Sequence, residues 1–154
     1  MREWPADWEE RKRGKNCAMC AEGRPSENQY GIRIQAGEWS DSYLQRVGSV
    51  RGYSIVIWRG RHVAEPTELS RDEASGYWRE VLEVARALEQ RYRPLKVNIE
   101  MLGNTLPHLH THVRPRYLDD PAPFGPLPHG PHYAPFPEAQ LRADADALRS
   151  LLGS

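Results

Sequence analysis

The sequence predicts an α+β fold, an antiparallel sheet of about five strands with one long helix across it and a C-terminal helix. Alternation of apolar and polar residues indicates the strands, and one stretch of helical periodicity indicates the long helix. Short connections between successive strands favour antiparallel pairing. At 154 residues, the chain is long enough for one domain with a hydrophobic core and too short for two.

We divide the chain into three parts. Residues 1–16 form an N-terminal arm, charged and without sustained periodicity, which we expect to pack locally or on a partner subunit. Residues 17–117 form the central domain. Residues 118–154 form a proline-rich wrap followed by the C-terminal helix.

The first three predicted strands cover residues 29–36, 42–47 and 53–58. The third is nearly continuous apolar sequence, Y-S-I-V-I-W, as expected of a central strand that is covered on both faces, or on one face plus a dimer contact. From Ser70 the pattern becomes helical. Ser70 and Glu73 fit a capping box, and the helix should run to about Tyr92 because Pro94 disfavours its continuation.

Two further strands are predicted at residues 96–102 and 107–117, joined by the short connection G-N-T-L-P. Seven prolines between residues 121 and 137 exclude regular structure there. Pro137 suits the start of a helix, whose apolar side would contain four residues. These are Leu141, Ala145, Leu148 and Leu152.

The segment 107–117, P-H-L-H-T-H-V-R-P-R-Y, carries histidines at every second position, His108, His110 and His112. On an extended strand, side chains two residues apart share a face at roughly 6.6 Å intervals. The interleaved residues, Leu109, Thr111 and Val113, would point into the core. The row could also be a solvated face, or a three-histidine metal site with an open position.

Composition limits the partners. The formal net charge is zero, so no global field favours a nucleic acid polymer or an anionic membrane. No apolar run approaches the roughly 20 residues that span a bilayer, and the N-terminus lacks a secretory signal, so we expect a cytoplasmic protein. The two cysteines, Cys17 and Cys20, form a C-x-x-C pair, for which a metal site, redox chemistry and a packed thiol pair are all open.

Three motifs together resemble the histidine triad (HIT) superfamily of nucleotidyl hydrolases and transferases, in its bacterial zinc-type form. They are the C-x-x-C opening, the strand G-Y-S-I-V-I-W-R-G-R-H and H-L-H-T-H-V-R-P-R preceded by G-N-T. The resemblance implies a HIT-like fold for residues 17–117 and a homodimer. The strand 53–58 and the helix 71–92 would supply the dimer interface.

The resemblance also implies the site residues. His110 would attack phosphorus as a neutral nucleophile, and His112 would contact the phosphate and assist the leaving group. Five further residues are candidates for substrate binding: Asn98, Gly103, Asn104, Thr105 and Arg114. Cys17, Cys20, His62 and His108 would close a structural zinc site, because two thiolates and two imidazoles leave no position open for water.

The sequence departs from the family pattern at two positions. Arg46 stands where an acidic or amide residue usually binds the ribose hydroxyls, and an arginine cannot accept those hydrogen bonds, so Glu38 or Asp41 would have to substitute or the ligand is not an ordinary nucleoside. Arg114 replaces an apolar residue. With Arg116 it would reach an additional phosphate or face solvent.

We therefore predict an enzyme that cleaves a nucleoside phosphoanhydride or phosphoramidate through a nucleotidyl intermediate on His110, passed to water or phosphate. The alternative is a non-catalytic nucleotide-binding or regulatory module with a structural zinc. Redox work by the cysteine pair is a third hypothesis. His129 and His132, in the proline-rich part, would be solvated or line the pocket.

Overall fold

The computed structural model describes residues 3–129 and 133–153 and contains one five-stranded antiparallel sheet. Its spatial order is β1-β2-β3-β5-β4, and every pair of neighbours is antiparallel. The predicted α+β class is confirmed. The strands are β1 (Gly31–Ala36), β2 (Ser40–Gln45), β3 (Ser54–Trp58), β4 (Lys96–Glu100) and β5 (His110–Arg116).

Four α-helices accompany the sheet in the described ranges. The two in the N-terminal region have five residues each, too few for a periodicity to be visible in the sequence. None of the described helices is long and apolar enough to cross a membrane. The helices are α1 (Trp8–Lys12), α2 (Ala18–Glu22), α3 (Arg71–Tyr92) and α4 (Glu138–Leu152), with a 3-10 turn at Pro66–Glu68.

Helices α3 and α4 cover one face of the sheet and form the core with it. The capping box of α3 is confirmed, with Glu73 N donating to Ser70 Oγ and Ser70 N donating to the Glu73 carboxylate. Trp78 of α3 is 43% exposed, whereas the neighbouring Tyr77 is buried. The buried core residues of the two helices include Tyr77, Val81, Val84, Leu88, Leu141, Ala145 and Leu148.

The last strand is shorter than predicted. β5 begins at His110, so His108 precedes it rather than sharing its extended run. The interleaved residues Leu109, Thr111 and Val113 are buried, as expected. β2 starts at Ser40 and ends at Gln45, two residues earlier at each end than predicted.

Strand β3 lies inside the sheet, hydrogen-bonded to β2 on one side and β5 on the other. Val56 faces the helices, whereas Ile55 and Ile57 face the opposite side. The homodimer stays a prediction. Of the two elements expected at its interface, α3 retains exposed residues such as Trp78.

The proline-rich segment contains neither helix nor strand in residues 118–129, as predicted. Arg116 fastens its first part, because its guanidinium donates to the Asp120 carboxylate at 2.7 Å and to the carbonyl oxygens of Ala122 and Gly125. The segment crosses the sheet face opposite the helices and reaches His112 at His129. The chain then returns to the helical face as α4.

Candidate active site and metal centre

His110 and His112 lie side by side on the face of the sheet opposite the helices. Each stands two residues from the other on β5, and their ring centroids are 5.0 Å apart. Across the strand pair, Ile57 is the partner of His110 and Ile55 the partner of His112. Both imidazoles are buried, with 9% and 8% exposure, so they sit in a sheltered site rather than on a solvated face.

The hydrogen bond of His110 fixes which of its nitrogens is free. Nδ1 lies 2.6 Å from the carbonyl oxygen of His108, and a carbonyl only accepts, so Nδ1 carries the proton. The lone pair is therefore on Nε2. Burial lowers the pKa of His110, partly offset by this hydrogen bond, and keeps the ring neutral. A neutral imidazole with a free Nε2 is a competent nucleophile.

His112 is enclosed by groups that disfavour its protonation. Burial, with smaller contributions from His110, Arg114 and His129, lowers the pKa of His112 to about 3. Its Nδ1 lies 2.7 Å from the hydroxyl of Tyr53, whose ring stacks nearly parallel to the imidazole. His112 is thus neutral at physiological pH.

The four predicted metal ligands converge, although they are far apart in the sequence. One ligand atom from each of Cys17, Cys20, His62 and His108 lies within 4.8 Å of the others. Nδ1 of His108 is 3.3 Å and 3.5 Å from the two sulfurs, and Nδ1 of His62 is 3.4 Å from the Cys20 sulfur. α2 carries Cys20 and begins directly after Cys17.

The two imidazoles of this cluster are oriented for a metal. His108 Nε2–H donates to the carbonyl oxygen of Trp58 at 2.8 Å, and His62 Nε2–H donates to that of Lys12 at 3.0 Å. Both Nδ1 lone pairs therefore point at the sulfurs. Such backbone hydrogen bonds on the second nitrogen accompany metal-ligating histidines in general. Burial lowers the pKa of His108 to about 4, which leaves it neutral and able to ligate.

The thiols complete a donor set that fits zinc. Burial, together with the neighbouring Cys17, raises the pKa of the Cys20 thiol to about 11. A dication at the centre of the cluster would reverse this and favour thiolates. Two sulfurs and two neutral imidazole nitrogens make a closed tetrahedral set of the structural type. The residues present therefore fit a structural zinc ion.

A cavity of about 370 Å³ is lined by Ile55 and Ile57 of β3. These two residues are the cross-strand partners of His112 and His110, although the histidines themselves are not among the lining residues. The volume is within the range typical of small-molecule sites. The other lining residues come from α2, the segment 28–30, β2 and the β4–β5 loop: Ala18, Met19, Glu22, Asn28, Gln29, Tyr30, Tyr43, Gln45 and Leu106.

Arg46 does not face this cavity. Its guanidinium binds the carboxylates of Glu27 and Glu138, each at 2.9 Å. Gln45, one residue earlier, lines the cavity with an amide that can donate and accept. The suggested substitute Asp41 is wrong, because it is fully buried and paired with Arg24 and Arg59.

Glu38, the other suggested substitute, is exposed and does not line the cavity. The alternation of side-chain directions along β2 indicates that Gln45 faces the cavity. In β2, Tyr43 pairs with Ile55 and so marks the cavity face, and a residue two positions on shares that face.

Arg114 and Arg116 are both buried, so the expectation that they would face solvent is wrong. Arg116 holds the proline-rich segment. The Arg114 guanidinium lies 4.4 Å from the ring centroid of Tyr53, and its Nη2 donates to His129 Nδ1 at 2.5 Å. His129 Nε2 in turn lies 3.1 Å from a Glu100 carboxylate oxygen.

His129 therefore lines the site, with its ring centroid 5.2 Å from that of His112. His132 lies outside the described residues. The sequence pattern does not predict that the proline-rich segment brings His129 to His112, because the segment has no periodicity from which its path could be inferred.

In the described part of the chain, none of the remaining substrate-binding candidates forms a hydrogen bond with His110 or His112. Asn104 and Thr105 are exposed in the β4–β5 loop, where Gly103 adopts a positive φ of 81°. Thr105 lines a small cavity beside the N-terminal arm. Asn98 lies opposite Arg114 on β4, and its side-chain oxygen accepts from Arg116.

Comparison with known proteins agrees with this geometry. Residues 38–119 match the family described as the HIT domain. A search of curated proteins finds no match.

Solved structures with the same fold include several histidine triad proteins. One from Bradyrhizobium japonicum is 22% identical, with a TM-score of 0.74, and the match covers 80% of this chain and 92% of that one. One from Sinorhizobium meliloti 1021 is 26% identical, with a TM-score of 0.72 and coverages of 79% and 90%. A Zn-bound member from Mycobacterium smegmatis is 22% identical, with a TM-score of 0.61 and coverages of 89% and 91%.

Proposed function

The chain belongs to the histidine triad (HIT) family, and we propose on that premise that it is a nucleotidyl hydrolase or transferase. Its substrate is a nucleoside phosphoanhydride, such as a dinucleoside polyphosphate, or a phosphoramidate. The reaction passes through a covalent nucleotidyl intermediate on His110. The observation that carries the proposal is the free Nε2 lone pair of a neutral, buried His110, whose cross-strand partner Ile57 lines the cavity of about 370 Å³.

In the first step, His110 Nε2 attacks the phosphorus and forms a P–N bond. The bond from phosphorus to the leaving group breaks, and its electron pair leaves with that group. His110 now carries a positive charge, because Nδ1 keeps its proton while Nε2 is bonded to phosphorus. The carbonyl of His108, 2.6 Å from Nδ1, stabilises this charge. A neutral nucleophile also avoids the repulsion that an anion meets at a charged phosphate.

In the second step, water or inorganic phosphate attacks the same phosphorus. The P–N bond breaks and its electron pair returns to His110 Nε2, while attacking water releases its proton to solvent. His112, neutral and 5.0 Å from His110 between ring centroids, is placed to interact with the phosphate and the leaving group in both steps. With a phosphoramidate, the leaving nitrogen also gains a proton from water.

The cavity supports a nucleoside as the transferred group. Its apolar lining of Ile55, Ile57 and Tyr43 suits a base, and the amide of Gln45 suits sugar hydroxyls or base edges. In this proposal Gln45 supplies the polar contact that Arg46 cannot. The zinc ion is structural, held by Cys17, Cys20, His62 and His108, and it takes no part in the chemical steps.

The test is covalent labelling. Wild type and His110→Ala are mixed with a dinucleoside polyphosphate labelled at the α-phosphorus, then quenched in denaturant at alkaline pH to preserve the P–N bond. We expect the wild-type protein to be labelled and the His110→Ala variant to be neither labelled nor active. Equal labelling or equal turnover of the two proteins contradicts the assignment. Tight nucleotide binding with no turnover across a substrate panel supports the non-catalytic alternative instead.

A further inference from the structure

Tyr53 is the residue directly before β3, and the sequence analysis assigned it no role at the site. Its side chain lies on the same face as Ile55 and Ile57, two and four residues on, and so reaches the histidine pair. The hydroxyl is 2.7 Å from His112 Nδ1, and the two rings stack at 22° with centroids 5.9 Å apart. The residue therefore fixes both the position and the plane of the His112 ring.

The surroundings determine which atom donates this hydrogen bond. Burial raises the pKa of Tyr53 and lowers that of His112, so both groups are neutral. A phenol O–H is a stronger donor than a neutral imidazole N–H, and an imidazole nitrogen is the stronger acceptor. The Arg114 guanidinium over the Tyr53 ring withdraws charge from the phenol and strengthens that preference. The proton thus lies on the tyrosine oxygen and Nδ1 accepts.

A neutral imidazole has one proton, so an accepting Nδ1 leaves the proton on Nε2. No residue in the described part of the chain forms a hydrogen bond with His112 Nε2. The tail closes the other side of the ring, since His129 lies 5.2 Å away and is held by Glu100 and Arg114. The His112 ring is therefore held in one orientation, and its Nε2–H is available to donate to a ligand.

We propose that Tyr53 is a positioning residue that holds His112 in the Nε2–H tautomer, so that His112 meets the substrate phosphate as a hydrogen-bond donor. The proposal rests on the proposed function for its consequence in turnover, but not for the tautomer itself. The two histidines then differ in what they present to the substrate. His110 presents a lone pair at its Nε2, and His112 presents a proton at its own Nε2. Each state is set by a partner at Nδ1, a carbonyl in one case and a phenol in the other.

The test substitutes Tyr53→Phe, which removes the hydroxyl and keeps the ring under Arg114. The matched control is Tyr117→Phe, a half-buried tyrosine whose hydroxyl donates to the Arg51 carbonyl at 2.9 Å, away from the site. Histidine tautomers are measured by 15N NMR at neutral pH, with His112→Gln used to assign the His112 signals. Turnover and KM are measured with a dinucleoside polyphosphate.

We expect wild type and the control to show a protonated Nε2 and an unprotonated Nδ1 at His112, and Tyr53→Phe to show a mixture of tautomers. In Tyr53→Phe, kcat should fall at least about tenfold, part of the roughly 10²–10³-fold that one preorganised hydrogen-bond donor contributes, while KM changes little. A wild-type His112 with its proton on Nδ1, or an unchanged tautomer in Tyr53→Phe, overturns the proposal. If wild type shows the expected tautomers but no turnover, the proposed function is contradicted, whereas the positioning role of Tyr53 is still supported.

Discussion

At the scale of single residues, four histidines of this protein are distinguished by the partner of one ring nitrogen. Carbonyl oxygens of the main chain accept from His62, His108 and His110, and a tyrosine hydroxyl contacts His112. The free nitrogen is Nδ1 at the two metal-ligand positions and Nε2 at the nucleophile position. Identical side chains therefore present different atoms to the metal cluster and to the reaction site.

Burial of neutral His112 predicts a loss of stability in acid. The pKa of His112 is about 3 in the folded protein and about 6.5 in the unfolded chain. The unfolded state therefore binds more protons between these values, and stability falls as the pH drops below about 6.5, until it levels off near 3. Lowering the pH from 7 to 5 should therefore reduce the free energy of unfolding by about 2 kcal/mol through His112 alone.

Urea unfolding of wild type and His112→Gln at the two pH values measures this contribution. Glutamine does not titrate, so the variant should lose about 2 kcal/mol less than wild type over the interval. Any effect of acid on the cysteine–histidine cluster is common to both proteins. Parallel pH dependence of the two would show that His112 is not held neutral by the fold.

The residue identities at the site could be predicted from the sequence, but their hydrogen bonds could not. The spacing of His110 and His112 placed both on one face, and the structure places them there. Tyr53 and Gln45 were missed because their importance depends on cross-strand register and on the direction of a side chain, neither of which a motif records. Arg46, at the position that the resemblance marks for the ribose contact, does not line the cavity, whereas Gln45, one residue earlier, does.

At the scale of elements, α3 is determined by local signals that agree with one another. Its N-cap, its apolar periodicity and the proline after it were visible in the sequence, and the observed helix begins and ends where they predict. Gly76 adds a signal that only the structure explains. A Cβ there would lie 2.1 Å from Nε1 of Trp39, so the glycine lets that indole pack against the helix.

Removal of the N-cap of α3 should destabilise the protein. Ser70→Ala deletes the hydroxyl that accepts from Glu73 N, leaving an amide of the first turn without its partner. We expect a loss of about 1 kcal/mol in the free energy of urea unfolding. Ser75→Ala is the matched control, because Ser75 is exposed within the same helix and alanine is the better helix former. A Ser70→Ala loss no larger than that of the control would exclude the capping contribution.

Elements with weaker local signals were predicted less well. The helices α1 and α2 are too short for periodicity, and α2 forms at the cysteine pair, where no helix was predicted. The strand bounds moved by up to three residues, most at β5, where His108 is diverted toward the cysteines before pairing begins. Tertiary contacts decide such boundaries, and a single sequence does not contain them in readable form.

At the scale of the whole molecule, the metal-ligand cluster joins the N-terminal region to two places in the sheet. Cys17 precedes α2, His62 follows β3, and His108 precedes β5. A bound ion would therefore fix the arm beside the cavity, whose wall includes Ala18 and Met19. All four candidate ligands were predicted from the resemblance to zinc-type histidine triad proteins, and the structure brings them together.

Zinc should be present at one ion per chain in wild type and lost in Cys17→Ser. Elemental analysis by mass spectrometry measures this, and chelation should lower the Tm and expose the arm to protease, because the cluster holds separate parts of the chain together. Lys15→Ala is the control, since Lys15 lies in the same region, is exposed and offers no ligand to the cluster. Metal-free protein with a reversible Cys17–Cys20 disulfide would instead favour redox chemistry.

The C-terminal part of the chain belongs to both faces of the sheet. Residues 118–129 carry His129 to the side of His112, and α4 supplies Leu141, Ala145 and Leu148 to the core on the other side. The core is incomplete until the last helix docks. During synthesis, the residues of α4 leave the ribosome after all five strands, so part of the apolar face of the sheet stays uncovered until they emerge. The core is thus expected to close only after α4 has emerged, and the interval before that is when the chain is most exposed to aggregation.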